Sequence, residues 1–147
     1  MNAFYKIITV IAITLLATSA AARNDVANYP IADALADEEA KAILGNDIKF
    51  YFGTQAHGDV ITEHTVSSVN RKTNGTNKTD KVACNWVFLS ALKALRDRAR
   101  EVGGNAVVNI RSNYQHNTTI SNETFQCGSG TFTSGVALIG DVVTIKE

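Results

Sequence analysis

Neither sign of charge is in excess in this chain. Lys and Arg number 14 against 14 Asp and Glu over 147 residues, a formal net charge of zero. A near-neutral chain exerts no global pull on nucleic acid or an anionic membrane, so nucleic acid is not an expected partner. Cysteine is scarce as well: only Cys84 and Cys127 occur, and they form no C-x-x-C pair of the kind that builds thiolate zinc cages. No G-x-x-x-x-G-K-[ST] loop, H-E-x-x-H pair or G-x-S-x-G elbow is present, so the common nucleotide, zinc-protease and hydrolase signatures are missing. No internal repeat or low-complexity linker divides the sequence, and its length suits one domain.

What is present begins at the amino end. Lys6 precedes an apolar run from Ile7 to Ala17, and Ser19, Ala20, Ala21 and Ala22 follow. That order of a positive region, a hydrophobic region and small residues predicts a secretory signal peptide over residues 1–22, cut between Ala22 and Arg23. The run is shorter than the roughly 20 apolar residues a bilayer-spanning helix needs. No cysteine lies near the cut to take a lipid, so no membrane anchor is expected. Loss of Lys6 would leave 13 of the 14 basic residues. The expected mature chain, 23–147, is a single α+β domain free in the periplasm.

Along that domain, Asn24 to Pro30 reads as an irregular arm and Asp33 to Leu44 as a short helix capped by Gly45. Ile48, Phe50 and Phe52 alternate with Lys49 and Tyr51, the period of a half-buried strand. Val60 to Val69 is a less regular strand candidate, and Asn70 to Lys78 reads as a polar loop around Asn74 and Gly75. The longest element is a helix from Asp80 to Val102. Cys84, Phe88, Ala91, Leu95, Ala99 and Val102 recur along it at steps of three and four with Leu92 beside them, and Trp86 and Leu89 widen the stripe. Lys93, Arg96, Asp97 and Arg100 supply its solvated face, Thr79 or Asp80 can cap its start, and Gly103 with Gly104 can end it. Ala106, Val108 and Ile110 alternate with Val107, Asn109 and Arg111 in a further strand. Two more are expected near Thr124 to Cys127 and from Gly135 to Ile145. Strands outnumber helices without alternating with them strictly. The predicted fold is therefore α+β, an antiparallel or mixed sheet packed against one long helix, with a short N-terminal helix.

Two cysteines in an exported protein predict a Cys84–Cys127 disulfide. The candidate chemistry is thin elsewhere. His57 and His64 are seven apart, with Glu63 between them, and His116 sits in the polar stretch Asn113 to Asn122; all three read as surface histidines. Ser90 has no partner pattern, and Ser129 between Gly128 and Gly130 reads as a flexible turn. Gly103 and Gly104 follow a helix and precede a strand, the reverse of a phosphate-binding loop. Asn74, Asn77, Asn117 and Asn122 each begin an N-x-T sequon. No catalytic, metal or cofactor-binding residue is assigned.

The stretches Pro30 to Leu35, Asp47 to Gly53, Cys84 with Trp86 and Phe88 to Leu92, and Gly103 to Asn109 together resemble a group of small exported proteobacterial proteins. Members of that group often carry the label "excinuclease ATPase subunit". The resemblance covers nearly all of the mature chain. The nucleotide-binding and zinc motifs that such a label implies do not occur here, so ATP hydrolysis and DNA binding are not expected. From the long helix through Gly104, Asn105, Ala106, Val107 and Val108, the chain is also similar to the stress-sensor lipoprotein of the Rcs envelope system and to related small β-α-β-β domains. This second resemblance implies a disulfide-bonded module of the envelope that acts by contact with other proteins.

The expectation is thus a non-catalytic periplasmic module with an envelope protein as partner. The alternative is a metal-binding protein that uses His57, His64 or His116, and an enzyme is a third class. Histidines converging with Asp59 or Glu63 would point to metal; an exposed apolar patch would point to a protein partner.

Overall fold

The computed structural model describes residues 22–147, so the expected signal peptide lies, but for Ala22, outside the described residues. Along the chain run β1 (Asp25–Pro30), α1 (Ile31–Leu35), α2 (Glu38–Leu44), β2 (Lys49–Phe52), β3 (Val60–Asn74), α3 (Asp80–Val102), β4 (Ala106–Tyr114), β5 (Asn117–Thr119), β6 (Thr124–Ser129) and β7 (Thr133–Ile145). The fold is α+β: a mixed, seven-stranded sheet with the long helix α3 packed on one face. β7 is its spine. It pairs antiparallel with β3 along its length, and its other side meets β4 and then β6. β1 extends the sheet beyond β6, while β2 lies parallel to β4 at the opposite end. A parallel neighbour needs a long crossover, and the β3–α3 segment supplies it.

α3 forms where the sequence places its apolar stripe. Cys84, Val87, Phe88, Ala91, Leu92, Leu95 and Ala99 are all fully buried. The Thr79 hydroxyl accepts a hydrogen bond from the Val82 amide at 3.2 Å, and Gly103 ends the helix at φ 80°, a left-handed turn that suits glycine. Beneath the helix, Phe88 stacks on Phe125 of β6 with ring centroids 4.0 Å apart, and Tyr29 of β1 and Phe52 of β2 continue the column on either side. The sulfurs of Cys84 and Cys127 lie 2.12 Å apart, at disulfide distance, and tie the first turns of α3 to β6.

Several local expectations are corrected. The irregular arm is strand β1, held through Tyr29 and an unbroken register from Asp25–Ser129 to Pro30–Thr124. The single helix Asp33–Leu44 is two, because the Asp37 side chain accepts from the Glu39 amide and starts a new one. β3 runs on to Asn74 through what reads as a loop. Arg96 is not solvated: it is 7% exposed, donates to the Ile43 carbonyl at the end of α2 and reaches Asp97 at 2.7 Å. Trp86 is 42% exposed and widens no core stripe. Ser129 is buried in β6 beside Ser134 and Cys84, not in a flexible turn. β5 forms a short hairpin with β4 inside the polar stretch that includes His116.

Candidate functional site

The three helices among the described residues share one face of the sheet: α1 and α2 pack on α3, and their buried residues join its core. The other face carries a smaller cluster of Ala106, Val108, Val143 and Ile145 with Tyr51 against it. No helix among the described residues covers this second face. A groove of about 500 Å³ lies there, floored by β3, β4 and β7 and lined by His57, Val60, Glu63, His64, Val66, Val108, Asn109, Asp141 and Val143, among others.

Irregularities in strand pairing border the groove, two on β3 and one on β4. The β3–β7 register shifts between Glu63 and Thr65, which leaves His64 as an extra residue on β3. On β4, the register with β7 shifts between Val108 and Arg111, and Asn109 takes φ 50°. A bulge re-aims side chains, and here it splits a strand that reads as simple alternation. Ala106 and Val108 face the groove side, whereas Val107 and Ile110 enter the helix-side core. Positive φ is disfavoured for residues with a Cβ but least so for Asn, which fits Asn109 at this point.

The bulge joins three polar groups, of which Asn109 and Asp141 line the groove. Asp141 accepts from the Asn109 amide at 3.2 Å and from Arg111 at 3.3 Å, and Arg111 also donates to the Asn109 carbonyl at 2.9 Å. The pair is partly withdrawn from water, with side chains 19% and 32% exposed for Arg111 and Asp141. Valines surround it. Val60 and Val66 at the rim are 41% and 63% exposed, so apolar surface meets solvent beside a fixed polar centre.

The histidines take different places. His57, on the β2–β3 connection, packs on Tyr51 at 5.5 Å, and its Nδ1 donates to the Gly58 carbonyl at 2.8 Å. His64 Nε2 lies 2.8 Å from the Thr144 hydroxyl. Both line the groove with Glu63, whereas His116 and Asp59 do not. His116 occupies the β4–β5 turn, where it and Gln115 have φ 63° and 51°. No group of three His, Cys, Asp or Glu side chains among the described residues is placed to hold a metal ion. Ser90 is exposed on α3. The four sequon asparagines are exposed too, with Asn122 Oδ1 accepting from the Thr54 amide at 2.8 Å.

Asn109, Arg111 and Asp141 are the residues that sequence reasoning missed as a group. Their one signal is polarity out of place, an Asn and an Asp inside apolar strand runs. No helix among the described residues is long and apolar enough to cross a membrane. Comparison with protein-family models, with curated proteins and with solved structures finds no match for this chain.

Proposed function

We propose that this chain is an exported, non-catalytic binding module of the cell envelope, and that it engages a partner protein through the groove on the sheet face that no described helix covers. The observation that carries the reading is the pairing of exposed Val60 and Val66 with Asn109 and Asp141 in one concavity, the two polar groups being held to each other and to Arg111 behind them. Apolar rim surface supplies affinity on desolvation, and fixed donors and acceptors supply orientation. The cysteine pair at bonding distance suits an oxidising compartment. The test is crosslinking in the intact envelope with Val60→Glu and Val66→Glu introduced together. Discrete heterologous products from the wild type, absent from the variant, are expected; the same products from both would refute the groove.

The metal alternative has only the shared lining of His57, His64 and Glu63 behind it, since the three do not stand together as a ligand set. Zinc titration followed by calorimetry separates the two readings. Stoichiometric heat lost on His64→Ala would favour metal, and the binding-module reading expects none.

A further inference from the structure

β3 is 15 residues long and pairs with β7 alone, so its outer edge is free among the described residues. Long bare edges are liabilities that chains blunt with proline, bulges or charge. β3 contains no proline, and its two register shifts fall before Thr65; from Thr65 to Asn74 it runs unshifted against β7. The straight half bears Arg71 and Lys72, and the bulged half bears Glu63, the strand's one acidic residue.

Two identical strands pairing antiparallel are related by a two-fold axis, and a residue on that axis keeps like faces together along the straight half. With Ser68 on the axis, Ser67 meets Val69, Val66 meets Asn70 and Thr65 meets Arg71. His64 is the extra residue in the existing pairing with β7. Passed over again, it brings Glu63 opposite Lys72. Both lie on the groove face of the sheet: Glu63 pairs with Val143, and Lys72 is an even number of steps along from Val66, which pairs with Asp141. Moving the axis to Ser67 or Val69 sets Glu63 against Asn70 or Asn74, with no charge to meet.

We infer that the β3 edge pairs with the β3 edge of a second copy of this chain, antiparallel about Ser68, with Glu63 of each copy against Lys72 of the other. Two sheets then become one, the free edges are removed and the exposed Val66 is partly covered. Glu63 lines the groove, so Lys72 of the second copy reaches its rim. The pairing holds whether or not the groove binds a partner.

Sedimentation equilibrium of the mature chain tests this. The wild type dimerises. Opposite charges across strands stabilise and like charges destabilise, so Glu63→Lys and Lys72→Glu, acting twice by symmetry, each weaken the dimer roughly tenfold. The double swap Glu63→Lys with Lys72→Glu restores it, which a mere folding defect would not. Ser68→Cys yields a covalent dimer on mild oxidation, and Asn70→Cys yields far less. A wild type that is monomeric at every concentration overturns the inference. So does a dimer indifferent to both single swaps, or one that crosslinks better through Asn70→Cys.

Discussion

Asp47 and Arg100 tie the turn after α2 to the last turn of α3 through two hydrogen bonds of 2.7 Å. That guanidinium holds the Asp47 carboxyl at about 2, below its ordinary 3.8. A carboxylate depressed on folding stabilises the native state above its unfolded value and loses that contribution as pH falls through the folded one. The urea midpoints of wild type and Asp47→Asn are therefore expected to differ by a constant amount above the ordinary value and to converge as pH approaches 2. A gap undiminished at that acidity would show the ion pair irrelevant. At Asn109 the backbone itself is tested. Asn109→Val forces a β-branched side chain into φ 50° and should cost about 1–2 kcal/mol, whereas Asn109→Gly stays closer to wild type in thermal melts. Equal losses would mean that the hydrogen bond to Asp141, and not the dihedral, sets the cost. At this scale the cysteine partners were legible because the chain has only two. The groove's polar centre was not, since Asn109 and Asp141 meet through a register shift that depends on which strand lies beside β4.

Among the elements, α3 was readable in its extent, about Asp80 to Val102, because its period and terminating glycines agree, although Thr79 and Asp80 were equal candidates for the cap that Thr79 supplies. The strands were less so. β1 and the second half of β3 are polar segments whose strand character comes from pairing with β6 and β7, a tertiary effect that overrides local propensity. Arg96 reads as solvated by helical phase, yet α2 packs over it and offers the Ile43 carbonyl. The link between α3 and β6 closes a separation of 43 residues. Replacing both Cys84 and Cys127 by Ala is expected to cost about 4 kcal/mol, chiefly by releasing the unfolded chain. Guanidinium unfolding should show this as a lower midpoint. A midpoint unchanged from the oxidised wild type would mean that the aromatic column alone fastens α3 to the sheet.

For the whole molecule, the α+β class and the single helical layer follow from the count and order of apolar segments, but the uncovered face does not. Ala106, Val108, Val143 and Ile145 look like core residues in sequence, and they form a second cluster on the far side of the sheet from α3. Among the described residues no helix covers that face, a groove lies in it, and the proposed role rests there. The most direct measurement places a photoreactive amino acid at His57, in the groove wall, and separately at Lys93, exposed on α3, and irradiates cells expressing each. An adduct with a different envelope protein is expected from position 57, identified by mass spectrometry, and none from position 93. Adducts of equal yield from both positions, or only self-adducts from position 57, would contradict it.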